Sequence, residues 1–583
     1  MDEIVGIDLG TTNSEIALYR DGWAQVLADE HGRKILPSVV GVSETGELLV
    51  GEAARNQFVL YPERTIRSIK RRMGSAEKVV LAGRQYAPQD ISAMILKHLK
   101  EIAERALGQP VTKAVITVPA YFSDTQRQAT RDAGEIAGLE VVRIINEPTA
   151  AALVYEAARH QGKRILVYDL GGGTFDASIV RIEEGVVEVI SSHGNNHLGG
   201  DDFDHKIVEH VLEHLKIKHK VDVSDQPRAM ARILRSAEQA KKQLSDQPYA
   251  RIEEEYLTEA DGKPIHLGLE LSREQYEDMI RPFIEDTLEA IHTALESASL
   301  TSSQIDEILL VGGATRTPLI RNRLRQAFGK DPRGEVDPDL CVAMGAAIQG
   351  ASIAGAEVSA VLVDVTPYTF GTSALDEHNG ELYPYCYVPI IQKNTPIPVR
   401  KSEVFFTVSE NQEVVEIRIY QGESPDALEN IQLGEFRVEG LSKAPAGNPI
   451  ILDLALDRDS ILHVSAKEKT TGLERRITID QVISRYDKSE LESAREHIDD
   501  LFNAREVNGE PSLSADAIAK ATNGALDALI AKARAKLDGV GEEDRAELID
   551  LIEAVRDCRD EGDGSGLADA RKQLTDLLFY LET

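Results

Sequence analysis

The chain has 583 residues, which is too many for a single hydrophobic core, so we expect several domains. Apolar residues make up 42% and charged residues 28%, the balance of a soluble globular protein. With 65 basic and 98 acidic side chains, the formal net charge is −33. This charge argues against nucleic acid or an anionic membrane as the main partner, because phosphate groups are bound by clustered lysine and arginine.

The cysteines and the amino terminus indicate the compartment. Cys341, Cys386 and Cys558 lie far apart and form no CxxC pair, so neither a disulfide framework nor a zinc site is expected. The chain starts with Met-Asp-Glu and passes directly into a strand-like run, without a basic region or a long uninterrupted apolar stretch. We therefore expect a cytoplasmic protein.

The first 355 residues alternate strand-like and helix-like patterns. Short apolar runs that end at Asp, Pro or Gly predict strands at Ile4–Asp8, Lys113–Val118, Arg164–Asp169 and Asp306–Val311. Between them, stretches such as Gln89–Leu107 carry apolar residues at three- and four-residue spacing, which predicts amphipathic helices. The alternation is typical of α/β proteins.

The pattern changes near residue 360. Alternating runs such as Val415–Tyr420 and Ile461–Ala466, separated by Gly, Pro and Asn, predict an antiparallel β domain. Helical spacing returns after Tyr486 and continues to the end, with breaks at Asn508–Pro511, Gly539–Gly541 and Gly562–Gly566.

A short apolar segment joins the two parts of the chain. Residues Gly355–Asp364 contain Val361, Leu362 and Val363, whereas linkers are usually polar. An apolar linker indicates a docking site in at least one state of the protein. The alternative is that these residues simply begin the first strand of the β domain.

The most informative motif is an internal repeat. Ile4–Leu18 and Ile165–Val180 each contain an apolar strand, then Asp-Leu-Gly, then Gly and Thr, then a second strand. Each predicts a β-hairpin whose tight turn lets backbone N–H groups approach a phosphate. A third glycine turn, within Ile308–Ile320, follows another predicted strand. The GxxxxGK[ST] and GxGxxG phosphate motifs are absent.

Several longer motifs resemble one family. DLGTTNS, VPAYFSDTQRQAT, NEPTAAAL, DLGGGTFD, LGGDDFD and VGGATRTP resemble the seventy-kilodalton heat-shock chaperones of the DnaK type. KNTPIP, QGESPD and DSILHVSAKEK extend the resemblance through the β domain, to about residue 500. MGSAEKVVLAG, PAYFSD and the short tail look most like the HscC-type bacterial branch. The resemblance implies an ATP-dependent chaperone that binds and releases extended apolar polypeptide.

The resemblance also implies a multi-domain fold with four segments. Residues 1–355 would form an actin-like α/β ATPase of two ribonuclease-H-like lobes, and residues 356–366 the linker. Residues 367–486 would form an antiparallel β-sandwich that binds polypeptide, and residues 487–583 a shortened α-helical lid.

The resemblance assigns ATP hydrolysis to a small set of polar side chains. Asp8 and Asp169 would hold Mg²⁺ through its water shell, with Asp176 completing the carboxylate set for the metal and for K⁺. Lys70 and Glu147 would orient water and neutralise phosphate charge together with Thr174. On residue type alone, Lys70 is one of three adjacent basic residues and would be read as a surface lysine. Glu147 alone would be read as a helix N-terminal glutamate.

The ATP or ADP pocket would be lined by the turns and by one further helix. Lys242 stands where the family commonly has an arginine that stacks on adenine, and Ala314 stands where a serine is common. The full set is Gly10, Thr11, Thr12, Asn13, Gly171, Gly172, Gly173, Thr174, Gly199, Gly200, Asp201, Glu238, Lys241, Lys242, Ser245, Gly312, Gly313, Ala314, Arg316 and Asp339.

The resemblance also implies a peptide site and a coupling route. The peptide site would comprise Thr372, Leu375, Phe405, Val408, Val415 and Ile417. Residues 372–391 are longer and richer in tyrosine than the usual family segment, which leaves the role of Leu375 open. The coupling route would comprise Pro119, Arg127, Arg143, Val361, Leu362, Val363 and Asp364. The implied partners are polypeptide clients, a J-domain co-chaperone and a nucleotide exchange factor.

Two other patterns leave alternatives open. His205, His210, His214 and His219 share one predicted helix, which fits a solvated face better than a metal site. An actin-like sugar kinase, a non-hydrolysing exchange factor or scaffold, and a filament-forming actin relative would share the nucleotide core. The apolar linker and β domain argue against the kinase and the filament protein, and the retained Lys70, Asp8, Asp169 and Thr174 argue against a non-hydrolysing relative.

Overall fold

The computed structural model describes residues 3–157, 162–183, 185–260, 262–333, 337–358, 361–378, 380–458, 461–478, 486, 488–508, 545 and 551–552. The chain divides into two compact units, Met1–Phe502 and Asn503–Thr583. The site lies in the first unit. Most of the predicted lid, its helix breaks and Cys558 lie outside the described residues.

The strands before residue 355 are, in chain order, β1 (Ile4–Leu9), β2 (Asn13–Arg20), β3 (Trp23–Val26), β4 (Leu36–Pro37), β5 (Val39–Val42), β6 (Leu48–Val50), β7 (Thr65–Arg67), β8 (Val79–Leu81), β9 (Arg84–Tyr86), β10 (Lys113–Val118), β11 (Glu140–Asn146), β12 (Lys163–Leu170), β13 (Phe175–Glu183), β14 (Val186–Asn195), β15 (Tyr249–Ala260), β16 (Lys263–Ser272) and β17 (Glu307–Val311). The helices are α1 (Glu52–Gln57), α2 (Pro88–Leu107), α3 (Asp124–Ile136), α4 (Glu147–Ala157), α5 (Gly200–His219), α6 (Pro227–Asp246), α7 (Arg273–Ser297), α8 (Pro318–Phe328) and α9 (Cys341–Ile353).

The later elements are β18 (Val361–Val365), β19 (Phe370–His378), β20 (Glu381–Ile391), β21 (Pro396–Ile397), β22 (Val399–Phe406), β23 (Val414–Gln421), β24 (Ile431–Glu439), β25 (Pro449–Leu456), β26 (Leu462–Glu468), β27 (Glu474–Thr478) and α10 (Lys488–Asn508). The strands and helices predicted within the described residues are therefore present, with ends that shift by a few residues. The segment boundaries at 355, 366 and 486 stay predictions.

The first 355 residues form two lobes, each built on a mixed sheet. The first sheet has the order β11-β10-β1-β2-β3, with β4 paired to β2. The second has the order β17-β12-β13-β14-β18-β21. In both sheets a central strand pairs parallel with one neighbour and forms an antiparallel hairpin with the next, through Leu9 and Ser14 in the first and Leu170 and Phe175 in the second. The internal repeat in the sequence is thus a repeat in structure.

The two lobes are joined through closely packed helices. A Cβ atom added to Gly345 of α9 would lie 1.8 Å from the carbonyl oxygen of Ala150 in α4. Only glycine permits this approach of two helix backbones. Apolar residues of both sheets, including Ile4 and Val167, pack in the core around these helices. The contact holds the ends of β1 and β12 near each other.

The β domain is a sandwich of two antiparallel sheets. One has the order β20-β19-β23-β24 and the other the order β22-β25-β26-β27. Alternate residues of these strands point inward, such as Ile417 and Ile419 from one sheet and Leu452 and Leu454 from the other. This alternation is the one that the sequence predicts.

The apolar linker segment forms a strand that belongs to both parts of the chain. In β18, Val361, Leu362 and Val363 pair parallel with β14 of the second lobe. Asp364 and Val365 of the same strand pair antiparallel with β21. Both interpretations of the segment therefore hold: it docks on the second lobe, and it is the first strand of the β domain.

Helix α10 packs on the first lobe. Ile498 and Phe502 are buried in the core that contains α2 and the first sheet. Lys97 of α2 forms an ion pair with Asp499, and the hydroxyl of Tyr486 donates to Asp90 at 2.9 Å. The helix is thus held by both apolar and polar contacts.

Candidate active site

A cavity of about 730 Å³ lies between the two hairpin turns. Its wall includes Asp8 at the end of β1 and Asp169 at the end of β12. The two aspartates therefore face one space, as the paired hairpins predict. The predicted residues that line the cavity are Asp8, Gly10, Thr11, Thr12, Asn13, Lys70, Glu147, Asp169, Gly171, Gly172, Thr174, Gly200, Glu238, Lys241, Lys242, Ser245, Gly312, Gly313, Ala314, Arg316 and Asp339.

The two turns approach each other closely. A Cβ atom on Gly172 would lie 1.8 Å from the hydroxyl oxygen of Thr12 in the other turn. The second turn is closed by the N–H of Gly171, which donates to the carbonyl oxygen of Thr174 at 3.1 Å. The backbones of both lobes can thus contact one bound group from two sides.

The buried carboxylates at the cavity favour the binding of a cation. Burial raises the pKa of Asp8 to about 7, and the negative charge of Glu147 adds to this effect. Burial and the charge of Glu147 also raise the pKa of Asp169. The Oδ2 atom of Asp169 is buried and has no hydrogen-bond partner among the described residues. A nearby positive ion would remove the cost of burying this atom.

Lys70 and Glu147 form a buried ion pair beside these carboxylates. Lys70 is only 3% exposed and lies in a short 3-10 turn, Ile69–Arg72. Its ammonium group also lies 5.7 Å from the centre of the Phe122 ring. Its neighbours in sequence do not indicate this burial, so the reading as a surface lysine is wrong.

Four predicted residues are not in the wall of the cavity. Gly173, Gly199, Asp176 and Asp201 are not among its lining residues. The carboxylate of Asp176 accepts hydrogen bonds from the backbone N–H groups of Ala120 and Tyr121, at 3.0 and 3.2 Å. Asp176 therefore connects the second hairpin to the segment after β10.

Asp201 connects the two lobes at the mouth of the cavity. Its carboxylate accepts hydrogen bonds from the hydroxyls of Thr12, at 3.3 Å, and Ser68, at 2.6 Å. Beside it, Arg67 donates to Glu238 at 3.3 Å, and Arg71 is paired with Asp202. Nothing in the sequence motifs points to Arg67 or Ser68.

The far end of the cavity is rich in paired charges. Lys241 donates to Asp204 at 2.8 Å, and Lys242 donates to Glu238 at 2.7 Å. Arg316 donates to Asp339, also at 2.7 Å. The lysine, arginine and carboxylate groups at this end are thus held in place by protein partners.

Glu15 is a cavity residue that the motifs did not point to. It is a single glutamate in the otherwise apolar second half of the hairpin, and it lines the cavity while only 2% exposed. Burial raises its pKa, and the charges of Asp8 and Asp339 add to the increase. Glu15 could have been identified from its position opposite Asp8 in the hairpin of β1 and β2.

Two predicted coupling residues, Arg127 and Asp364, belong to one hydrogen-bond network. The carboxylate of Asp364, whose pKa is raised by burial, accepts hydrogen bonds from Asn146 at 2.9 Å and from Thr149 at 3.3 Å. Arg127 donates to the side-chain oxygen of Asn146 at 2.6 Å. Strand β18 is therefore tied to α4 and α3 of the first part of the chain.

The remaining coupling residues lie close to this network. Pro119 is buried just after β10, and the backbone N–H of Phe122 donates to its carbonyl oxygen. Arg143 is half-buried on β11, opposite Val115 of β10. Asn146 and Thr149 were not predicted, although both lie next to the NEPTAAAL motif.

The β domain also contacts the first lobe near α3. The hydroxyl of Tyr368 donates to the carbonyl oxygen of Tyr121 at 2.6 Å, and the two rings lie 4.9 Å apart. The side-chain amide of Gln421 donates to Asp124 at 2.8 Å. Burial raises the pKa of Asp124 to about 6.

The predicted peptide residues divide into two groups. Ile417 is buried, and Phe405 and Val415 pack against the same sandwich core. Thr372 is also buried, and its hydroxyl donates to a carbonyl oxygen of β23. Val408 and Leu375, in contrast, are 63% and 47% exposed.

The tyrosine-rich segment 372–391 lies within the hairpin β19–β20. Tyr383 donates to Asp426 at 3.1 Å, and Tyr387 donates to the carbonyl oxygen of Thr369, also at 3.1 Å. The added tyrosines are thus bound within their own domain.

The four histidines of the predicted helix lie on one helix in the structure. His205, His210, His214 and His219 all lie on α5, as predicted. Within the described part of the chain, no three His, Cys, Asp or Glu side chains form a group that could hold a metal ion by themselves.

None of the described helices is long and apolar enough to span a membrane.

Comparison with known proteins identifies the family. The family described as "Hsp70 protein" matches residues 4–81 and 76–578. The "Chaperone protein DnaK" of Thermotoga neapolitana is 49% identical over 486 residues, which cover 82% of this chain and 80% of the relative. Those of Thermotoga petrophila and Thermosipho melanesiensis are each 49% identical over 484 residues, with the same coverage.

These matches extend over both lobes, the linker and the β-sandwich, and they confirm the predicted fold class of an actin-like ATPase followed by a β-sandwich. The narrower resemblance to the HscC-type branch stays a prediction. The chain belongs to the Hsp70 family of ATP-dependent chaperones.

Proposed function

We propose that this chain uses ATP hydrolysis between its two lobes to control binding of extended polypeptide in its β domain. The observation that supports the coupling is the position of β18. This strand extends the sheet of the second lobe and is the first strand of the β domain. Hydrogen bonds to Asp364 from Asn146 and Thr149 anchor it. A movement of the lobes would therefore act on the β domain through this strand.

Hsp70 proteins bind ATP or ADP with Mg²⁺, and the cavity fits this requirement. The unpartnered Oδ2 of Asp169 needs a positive neighbour, and the glycine turns leave room that a Cβ atom on Gly172 would fill. We propose that Asp8 and Asp169 hold the ion through its bound water molecules. Asp176 would orient the second hairpin through its hydrogen bonds to the backbone after β10. When bound, Mg²⁺ would neutralise charge on the phosphates.

The buried pair of Lys70 and Glu147 is the proposed centre of hydrolysis. Lys70 is fixed by Glu147, so its ammonium group can donate to a phosphate oxygen without first losing side-chain freedom. Glu147 can accept a hydrogen bond from the attacking water, and the hydroxyl of Thr174 can donate to the phosphate end of the cavity. Positioning of this kind is the main requirement of phosphoryl transfer to water.

The nucleoside would occupy the charged end of the cavity. Lys242 is engaged by Glu238 and cannot stack on adenine as an arginine would. We therefore propose weaker adenine binding than in relatives with arginine at this position, with Arg316 and Asp339 completing the pocket.

The peptide would bind at the edge of the sandwich formed by β19, β22 and β23. Phe405, Val415 and Ile417 would provide the apolar floor, while the exposed Val408 and Leu375 would contact the peptide from its rim. The finer features of the function are also proposals: a K⁺ ion at the site, a J-domain co-chaperone near Arg143, a nucleotide exchange factor and a cytoplasmic location.

Steady-state ATP hydrolysis with an extended apolar peptide tests this function. We predict that bound peptide shifts the lobes toward the arrangement that hydrolyses ATP and so increases the hydrolysis rate. A rate that does not respond to any apolar peptide would contradict the coupling. Transfer of phosphate to a small polyol instead of water would indicate a kinase.

A further inference from the structure

Asp204 is a buried acidic residue beside the cavity to which the proposed function gives no role. It lies on the second turn of α5, and only 3% of its surface is exposed. Its Oδ2 atom accepts a hydrogen bond from the ammonium group of Lys241 at 2.8 Å, and its Oδ1 atom is buried without a hydrogen-bond partner among the described residues. Lys241 is among the residues that line the cavity, whereas Asp204 is not. The direct way for Asp204 to affect a ligand in the cavity is therefore through Lys241.

Helices α5 and α6 bring these two charged groups together. Phe203 and Ala240, the chain neighbours of Asp204 and Lys241, are both buried in the core of the second lobe. The ammonium group of Lys241 also donates to the backbone carbonyl oxygen of Gly200 at 3.0 Å. A Cβ atom on Gly200 would lie only 3.2 Å from this ammonium nitrogen, so the lysine is closely enclosed. The position of Lys241 is thus set by the packing of two helices and by two hydrogen bonds.

The two protein contacts leave one donor of Lys241 for a ligand. An ammonium group has three N–H donors, and Asp204 and Gly200 accept from two of them. The side chain of Lys241 is 15% exposed and forms part of the cavity wall, so its third N–H is available to an oxygen atom in the cavity. A donor that the protein fixes in advance loses little side-chain freedom when the ligand binds.

The charge of Asp204 depends on its surroundings near neutral pH. Burial raises the pKa of Asp204 to about 6, and the charges of Glu238 on α6 and Asp201 on α5 add to this increase, while Lys241 opposes it. Tyr276 of α7 is a further titratable side chain close to Asp204. Asp204 is therefore ionised at pH 7.5, and it takes up a proton as the pH falls through about 6. Its attraction for Lys241 is lost in the same range.

We propose that Asp204 is a positioning residue of the nucleotide site, which holds Lys241 so that the third N–H of the lysine donates to an oxygen of the bound nucleotide. The inference rests on the proposed function, since a nucleotide must occupy the cavity. The acceptor is a ribose hydroxyl or a phosphate oxygen, because both accept hydrogen bonds from an ammonium group. When Asp204 is neutral or replaced, Gly200 alone holds the lysine, and fixing its side chain then costs more conformational entropy on binding.

Displacement of fluorescent ADP from the full chain, at fixed Mg²⁺ and pH 7.5, compares the unaltered chain with Asp204→Asn, which keeps the shape of the side chain and removes its charge. The dissociation constant of ADP should rise roughly tenfold, the effect of losing one hydrogen bond to a charged group. Asp222→Asn removes an exposed pair with Lys216 after the other end of α5, so it is the matched control and should bind ADP as the unaltered chain does.

The same assay with 2′,3′-dideoxy-ADP identifies the acceptor atom. An equal rise for ADP and for the dideoxy nucleotide places the third donor at a phosphate oxygen, and a rise confined to ADP places it at a ribose hydroxyl. Equal dissociation constants of ADP for Asp204→Asn and the unaltered chain would overturn the inference alone. Failure of the unaltered chain to bind ADP with Mg²⁺ would instead overturn the proposed function.

A double variant separates positioning from a general structural effect. In the Lys241→Met background, Asp204→Asn should weaken ADP binding no further, because the two residues act as one unit. Both proteins of this comparison lack the lysine charge, so it stays available if Asp204→Asn alone folds poorly. Additive losses in the two single variants and the double variant would show that Asp204 does not act through Lys241.

The pH profile provides a readout that a purely structural role would not change. The difference in ADP affinity between the unaltered chain and Asp204→Asn should be largest at pH 7.5 and should shrink as the pH falls through about 6, where the native carboxylate becomes neutral. Titration of ADP itself affects both proteins equally. A difference that stays constant from pH 7.5 to 5.5 would contradict the inference.

Discussion

At the scale of single residues, changes to Lys70 and Glu147 should have the largest effects on the rate of hydrolysis and on stability. Both side chains are at least 90% buried, and each is the charge partner of the other. We predict that Lys70→Met lowers the single-turnover rate of ATP hydrolysis by about 10²–10³-fold, as removal of one preorganised donor to a developing charge does. It should also lower the free energy of unfolding by about 3–5 kcal/mol, because Glu147 is left buried and unpaired.

A double variant separates these two effects. In Lys70→Met/Glu147→Leu no charge is left unpaired, so much of the lost stability should return. Hydrolysis should stay low, because neither group can act on phosphate or water. Denaturant unfolding and single-turnover hydrolysis measure the two quantities. A double variant that regains hydrolysis along with stability would show that the pair is only structural.

A second residue-scale prediction concerns the contacts across the mouth of the cavity. Arg67 to Glu238 and Ser68 to Asp201 join the two lobes, and both must break when the lobes separate. We predict that Arg67→Ala speeds release of ADP roughly fivefold, since a hydrogen-bonded contact of this kind contributes about 1 kcal/mol.

Stopped-flow release of fluorescent ADP measures this effect. Arg55→Ala is the matched control, because Arg55 pairs with Glu52 within the same short helix. Equal release rates for Arg67→Ala and the unaltered chain would show that these contacts do not limit opening.

The sequence predicts the residues of the site to different degrees. Glycine turns after apolar strands are local patterns, so Gly10, Thr12, Gly171 and Gly172 could be placed at a phosphate site without a structure. Lys70 has no such local pattern, and only its resemblance to a family motif singled it out. Glu15 was missed because its significance comes from its register opposite Asp8, which is a contact between strands.

At the scale of elements, strand β18 is the junction on which coupling depends. Val361 is 64% exposed, whereas Leu362 packs against the core between the lobes. We predict that Leu362→Asp undocks β18, because a carboxylate cannot be buried there without a partner. Peptide should then no longer stimulate ATP hydrolysis, while ATP still binds.

Val361→Asp provides the comparison at the same strand. It introduces the same charge at a position that faces outward, so its effect on stimulation should be much smaller than that of Leu362→Asp. ATP hydrolysis with and without peptide measures both variants. Retained stimulation in Leu362→Asp would contradict the role of β18.

Helix α10 gives a prediction for pH. The ring of His497 stacks on Tyr86 and its Nδ1 lies 3.1 Å from Arg84, an arrangement that suits an uncharged imidazole. Burial and the charge of Arg84 lower the pKa of His497 from its ordinary value of 6.5, and the nearby Asp90 and Asp500 oppose this effect. Because the docked form has the lower pKa, docking is fully favourable above pH 6.5 and weakens as the pH falls through the lowered value.

Resonance energy transfer between labels on α10 and the first lobe measures docking between pH 5.5 and 7.5. The unaltered chain should lose transfer as the pH falls, and His497→Gln should lose much of this pH dependence. An equal pH dependence in both proteins would assign it to other groups.

At the scale of the whole molecule, local patterns predict the order of the parts but not their contacts. The α/β lobes, the β-sandwich and the helix after Tyr486 each have a periodicity that can be read along the chain. The packing of α10 on α2, some 400 residues away in sequence, has no local signature. Likewise, the apolar residues of the linker predict a docking site, but they do not say that β14 provides it.

The arrangement of β18 and α10 defines one state of a molecule that must have at least two. In this state the linker strand is docked and α10 packs on the first lobe. We predict that a nucleotide that closes the lobes favours the docked state and that this state releases peptide faster.

The rate at which a fluorescent, extended apolar peptide leaves the full chain tests this coupling most directly. With Mg²⁺ and ATP, release should be at least roughly tenfold faster than with Mg²⁺ and ADP, which corresponds to a free-energy barrier to release that is lower by about 1.4 kcal/mol. Equal release rates with the two nucleotides, from a chain that binds both, would contradict it.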